Sequence, residues 1–139
     1  MKFTISGPPV GKGRPRTGQN RVYTPQRTRE YESLVKLEYA RQVGLQPLGK
    51  GVPVGVIIAA FYPIPKKTTK KNRALMLAQK LLPTKTPDWD NIGKIICDAL
   101  NGLAWEDDAQ VVDARVLKIF SEAPRVEVRI WEINKEDIT

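Results

Sequence analysis

Apolar and polar residues alternate, cluster and break along this chain in a way that predicts a short run of strands and helices. Lys2 to Ser6 alternates polar and apolar and reads as a first strand. Gly7-Pro8-Pro9-Val10-Gly11-Lys12-Gly13-Arg14-Pro15-Arg16 is punctuated throughout by glycine and proline and reads as an irregular loop. Thr28 to about Val43 carries a partial apolar stripe of Leu34, Val35, Leu37 and Ala40 and stops at Gly44, as a helix does. Val52 to Tyr62 is apolar on both faces, which predicts a central strand. A short helix is expected over Lys70 to Lys80, and the clearest helix over Asn91 to Leu103. Val111 to Phe120 and Arg125 to Ile133 alternate as strands, and their short link, Ser121 to Pro124, predicts a hairpin. The order is strand, helix, strand, helix, helix, strand, strand. It predicts an α/β (α+β-like) fold: a single mixed β-sheet of about four strands with helices packed against it. With 139 residues, the chain 1–139 reads as one domain.

The clearest helix is divided by side-chain type. At about 100° per residue, Ile92, Ile95, Ile96, Ala99, Leu100 and Leu103 fall on one face. Asp90, Lys94, Asp98 and Asn101 fall in a narrow stripe opposite. Asp90 or Asn91 is suited to cap the helix start. Asp88 and Asp90 flank Trp89, and in an extended segment both carboxylates would share a face. A second acidic group, Glu106-Asp107-Asp108, follows the helix. Clustered carboxylates repel one another unless a cation sits between them, and hard oxygen ligands suit Mg²⁺ or Mn²⁺. Such an ion can polarise a phosphodiester and activate a water, and Lys94 can stabilise the developing charge. The same residues also admit a plainer account: Asp90 as a cap, Asp98 and Lys94 as an i,i+4 pair, Asp107 and Asp108 as turn residues.

Charge changes the picture more by its distribution than by its total of +8. Residues 1–87 hold 17 Lys and Arg against 3 Glu and no Asp, a net of +14. Residues 88–139 hold 6 against 12, a net of −6, and all seven aspartates. The basic half suits a polyanion, most simply nucleic acid. Lys12, Arg14, Arg16 and Arg21 in the first loop region are candidate phosphate contacts. So are Lys66, Lys67, Lys70 and Lys71, crowded against a helix N-terminus whose dipole they oppose.

Composition also excludes. The chain has no histidine, which rules out His-metal nucleases and His-dependent triads or acid–base chemistry. Cys97 has no histidine to activate it and lies beside the apolar face, so it reads as packing. The longest apolar stretch, Val54 to Phe61, is strand-sized and too short to span a membrane. Met1 to Ser6 lacks the long apolar core of a signal peptide. A single cysteine and a DNA partner together suit a cytoplasmic, nucleoid-associated protein.

Linked motifs carry a resemblance. Pro87-Asp88-Trp89-Asp90-Asn91, Lys94, Asp98-Ala99-Leu100-Asn101-Gly102 and Trp105-Glu106-Asp107-Asp108-Ala109-Gln110-Val111 resemble the RusA family of Holliday junction resolvases. Gly7-Pro8-Pro9 and Lys12 to Arg16 look like a variant of the family's opening. The resemblance implies a homodimer that binds branched DNA, a four-way junction, and nicks two strands symmetrically with Mg²⁺, Mn²⁺ substituting. It further implies that Asp88, Asp90 and Asp108 are the essential carboxylates and metal ligands, with Asp107 adjoining them, and that Lys94 is the essential lysine. Asp98 matches the pattern and reads as support for the helix stripe. The basic stretch Lys66 to Lys85 departs from the family and reads as a junction-binding arm. Two alternatives from other classes stay open: a non-catalytic basic nucleic-acid-binding module, and an adaptor whose acidic half docks a basic protein.

Overall fold

The computed structural model describes residues 1–14, 16–18, 21–23 and 25–134, with the side chains of 15–24 left aside. Its strands are β1 (Lys2–Ser6), β2 (Arg16–Gly18), β3 (Arg21–Tyr23), β4 (Val54–Pro63), β5 (Val111–Ser121) and β6 (Arg125–Glu132). Its helices are α1 (Gln26–Gln42), α2 (Lys70–Leu77) and α3 (Trp89–Leu100). Four strands form one mixed sheet in the order β1-β6-β4-β5, and β2 and β3 form a separate two-stranded ribbon. The mixed α/β architecture with helices on a four-stranded sheet is the one the hydrophobic pattern predicts.

β4 is central because it is apolar on both faces. Val54, Val56, Ile58, Ala60 and Tyr62 are buried on one side. Their cross-strand neighbours Val126, Val128 and Ile130 of β6, and then Phe3 and Ile5 of β1, continue the same buried layer. α1 seals it through Tyr31, Val35 and Tyr39, with the Tyr39 ring edge-on to Phe3 at 5.4 Å. α3 adds Ile92, Ile95, Ile96, Ala99 and Leu100, all buried. On the opposite face Arg125 stacks over the Phe61 ring at 3.8 Å, and the Trp131 ring lies across Gly55, where a Cβ would come within 2.3 Å of it.

The expected hairpin does not form. β5 runs parallel to β4, and β6 runs antiparallel to β4 on its other edge, so β4 lies between them. The link after Ser121 arches across the end of β4, whose Pro63 pairs with Ser121 and Phe61 with Arg125. A strand apolar on both faces needs a partner on each edge, and neither alternation nor link length reveals an inserted third strand. The first loop is also more regular than its glycines and prolines suggest, since β2 begins at Arg16. α1 starts two residues before Thr28, and α2 stops at Leu77. α3 stops at Leu100, ahead of Gly102 with its φ of +79°. Among the described residues no helix is long and apolar enough to cross a membrane.

Ile96 touches no ligand but seats α3 on the sheet. Ile96→Ala is expected to cost about 2–5 kcal/mol, from lost burial plus an unfilled cavity. Urea unfolding of both proteins measures it, and a change under 1 kcal/mol would show that α3 is not anchored by this face.

Candidate active site

The site is built on the polar side of α3 and on the turn that follows it. Asp88 is the N-cap residue, with φ −73° and ψ 153°, and its side chain makes no capping hydrogen bond. Asp90 lies in the first turn of the helix. Neither Asp90 nor Asn91 is therefore the cap, and Asp88 and Asp90 do not share the face of an extended segment. The helix begins two residues earlier than a cap at Asp90 would require. Asp90, Lys94 and Asp98 recur one turn apart and line a single cavity of about 330 Å³. Asp108 lines it from the far side, and Val111, Ala114 and Val116 of β5 form its apolar floor with Ile58. Trp89, 65% exposed, stands at its rim. Cys97 also faces the cavity, but burial, with the charges of Asp108 and Asp98, pushes its thiol up to about 12, so it stays protonated at neutral pH.

Asp108 is placed by a chain of specific contacts. The fully buried Trp105 donates its indole Nε1–H to Asp108 Oδ1 at 2.7 Å. The Asp108 amide donates to Asn101 Oδ1 at 3.1 Å. Asp107 instead caps the 3-10 turn Asp108–Gln110, accepting from the Ala109 amide at 3.1 Å. Gln110 clamps this turn, accepting from the amides of Glu106 and Asp107 and donating to the carbonyls of Gly49 and Val52. Burial raises the Asp108 carboxyl above its ordinary range. The Trp105 hydrogen bond opposes this, and the charges of Asp98 and Asp107 add to it.

Asp88 faces a different hollow. A groove of about 570 Å³ runs between the first loop, the start of α1 and residues 86–91. Arg14, Arg27 and Lys12 line it, and Asp88 is the only carboxylate among its described lining residues. Its walls are brought together by glycines. A Cβ on Gly11 would lie 2.9 Å from Pro87 Cβ, and one on Gly13 would lie 2.7 Å from Thr28 Oγ1. The Lys12 amide donates to the Asn91 carbonyl at 2.8 Å, and the Gly13 amide to Thr28 Oγ1 at 3.0 Å. Tyr62 donates its hydroxyl to the Pro87 carbonyl just before α3. Burial, with the charge of Asp88, pushes that hydroxyl up to about 12.

The basic candidates fall into three groups. Lys12 is turned inward, its Nζ 2.8 Å from Glu32 Oε1 and 3.1 Å from Asp98 Oδ2. Asp98 thus pairs with Lys12 of the loop and not with Lys94 one turn away. Arg14, Lys66, Lys67, Lys70 and Lys71 are exposed, and none is ion-paired among the described residues. The side chains of Arg16 and Arg21 lie outside those described. α2, which carries Lys70 and Lys71, packs on β5 and is tied to it by Arg73 and Glu122. Arg27 in the groove wall and Glu32 beside Lys12 hold places that residue patterns alone do not single out, because each is set by the approach of the first loop to α1.

Comparison with known proteins then decides the family. The family model of the endodeoxyribonuclease RusA matches residues 6–131. This chain belongs to the RusA endodeoxyribonuclease family. It is also similar to the uncharacterized protein YqaN of Bacillus subtilis (strain 168), with 39% identity across 96% of this chain and 97% of that one. The RusA match spans the first loop, α3 and the Trp105–Gln110 turn together. Every element that shapes the cavity and groove therefore lies inside the family's boundaries.

Among the described residues no three acidic or sulfur side chains stand close enough to form a ready metal cluster. A pair of carboxylates in one cavity nevertheless suits Mg²⁺, which is usually held by one or two carboxylates together with waters and substrate phosphates. Asp90 and Asp108 are the carboxylates of this cavity that could hold such an ion, since Asp98 is paired with Lys12.

Asp108 yields a test on the metal-free protein. A carboxyl raised on folding binds its proton more tightly in the folded state. Its contribution to stability is therefore lost as pH rises from the ordinary carboxylate range through the raised value. Asp108→Asn keeps an Oδ1 acceptor for Trp105 and removes the charge. It is expected to raise the melting temperature by a few degrees at pH 7 and to have little effect below about pH 3.5, under the ordinary aspartate pKa. Thermal melts at both pH values check this, and a variant less stable at pH 7 than wild type would contradict it.

Proposed function

We propose that this protein is a divalent-metal-dependent endodeoxyribonuclease that resolves four-way DNA junctions by paired symmetric nicks, working as a homodimer. The observation that carries the reading is that α3 stands between two hollows of opposite character. Its Asp90–Lys94–Asp98 stripe faces the acidic cavity with Asp108, and Asp88 and Asn91 at its start face the groove lined by Arg14 and Arg27. A DNA strand seated in the groove meets cations along its backbone and arrives beside the carboxylates. Phosphate contacts of this kind position nucleic acid without reading its sequence.

Each residue then has a part. Asp90 and Asp108 would hold the cation, Mg²⁺ with Mn²⁺ substituting, and Asp88 would join them as the third carboxylate. When bound, the ion polarises the scissile phosphate and lowers the pKa of a coordinated water. Lys94, exposed in the cavity wall, places its ammonium where negative charge develops on the phosphate oxygens. Asp107 supports Asp108 by capping its turn. Lys66, Lys67, Lys70 and Lys71 extend the cationic surface beyond the groove, on and before α2. A junction presents two equivalent strands, and a two-fold pair of subunits presents two equivalent sites to them. The reading places the protein in the cytoplasm with the chromosome, and treats 1–139 as one catalytic domain.

A labelled four-way junction, beside a matched linear duplex, with Mg²⁺ or EDTA, tests this directly. Wild type is expected to nick the junction in symmetric pairs and to stop in EDTA. Lys94→Ala is expected to slow cutting by roughly 10²–10³-fold, the scale for removing one preorganised electrostatic contact. Asp90→Asn is expected to slow it at least as much while leaving junction binding intact or tighter. Equal cutting of the linear duplex would keep the nuclease and discard its junction selectivity. Tight, salt-sensitive binding with no cutting in Mg²⁺ or Mn²⁺ would make the protein a binding module.

A further inference from the structure

Among the described side chains of the first loop, Lys12 is the basic one turned inward. Its side chain is 18% exposed, against 17% for Glu32 and 33% for Asp98. Its ammonium joins three separate elements: the loop, α1 through Glu32 and α3 through Asp98. Two of its three donor hydrogens are used there. Burial alone would lower the basicity of this amine. The hydrogen bonds and charges of Glu32 and Asp98 outweigh that and hold it above its ordinary value, so it stays cationic.

Asp98 lines the same cavity as Asp90 and Asp108, and its charge reaches Asp108. Without Lys12 the cavity would set three carboxylates against the single exposed ammonium of Lys94. With it, one is already neutralised by a cation built into the chain, and Asp98 Oδ2 is occupied. We propose that Lys12 is a positioning residue that withholds Asp98 from the metal, so that of the three aspartates lining the cavity only Asp90 and Asp108 are left to the ion. The inference rests on the metal reading above and goes beyond it. It makes the first loop part of the metal site's selectivity as well as of the DNA groove, and explains how one helix stripe carries two aspartates of which only one serves as ligand. Glu32 is the second half of the device: it turns the ammonium inward and keeps it from being a free phosphate contact.

Calorimetric titration of the DNA-free protein with Mn²⁺, alongside junction cutting, separates this role from simpler ones. Lys12→Met is expected to tighten Mn²⁺ binding on the order of five-fold, the scale of one unit charge acting on a divalent ion across a solvent-screened cavity. The same variant is expected to lower kcat for cutting, because the ion is now shared with Asp98. Affinity and rate thus move in opposite directions. Adding Asp98→Asn to Lys12→Met is expected to return Mn²⁺ affinity to the wild-type range and recover part of the rate. Lys12→Arg keeps the charge and is expected to stay within about two-fold of wild type in Mn²⁺ affinity, and thermal melts confirm that each variant folds.

Mn²⁺ affinity unchanged or weakened in a folded Lys12→Met protein would overturn the proposal and leave Lys12 a loop fastener. A shallower salt dependence of junction binding, with no change in Mn²⁺ affinity, would overturn it in favour of a phosphate contact. Wild type that takes up no Mn²⁺ would overturn the metal reading itself, and this proposal with it, whereas Mn²⁺ uptake indifferent to Lys12 overturns the proposal alone.

Discussion

Helix α3 buries Ile92, Ile95, Ile96, Ala99 and Leu100 between the sheet and α1, and that burial determines where its other side chains stand. A helix with one fully apolar face can lie on a sheet in one rotational setting only, because any other exposes isoleucines or buries aspartates. The setting turns Asp90, Lys94 and Asp98 toward the β5 side of the sheet, where Ala114 and Val116 close the cavity floor. The polar stripe and the hydrophobic anchor are two readings of one periodicity, so the energy that folds the helix also aims its charged side chains.

The second half of the site is held by polar contacts of high specificity. Trp105 spends a full aromatic burial on a position where its indole N–H meets Asp108. Gln110 reaches out of the same turn to the backbone of residues 49 and 52 and locks the turn to the chain before β4. A carboxylate held half-buried beside two others is a local cost, and such costs are characteristic of sites that await a cation. Trp105 and Asn101, the partners that hold Asp108, do not themselves line the cavity.

How much of this the residue pattern revealed depends on whether the signal was local. α3, its apolar face and its Asp90–Lys94–Asp98 stripe are set by helical periodicity and were legible, as was the central place of β4. The N-cap was misplaced by two residues, because Asp88, Asp90 and Asn91 are all good caps and only the backbone angles distinguish them. The hairpin expected of β5 and β6 was wrong because the insertion of β4 is a long-range pairing that leaves no mark on either strand. Lys12 shows the same boundary from the side of function. Its charge and loop were visible, but its commitment to Glu32 and Asp98 depends on three segments far apart in the chain. Cys97 could be assigned to packing from the absence of histidine and its place beside the apolar face, and its packing against the core agrees.

The parallel pairing of β4 with β5 has a consequence in time. Strands that run side by side in the same direction cannot be joined by a tight turn, and residues 64–110 make the long return between them. Asp88, Asp90, Lys94, Asp98 and Asp108 all lie within that return. Loop closure over such a span is slow compared with local helix formation. The cavity that Asp90, Lys94, Asp98 and Asp108 line has its floor on β5, so it exists only once that return has closed. The side chains of the candidate site are therefore brought over their floor by the same long-range pairing that completes the sheet.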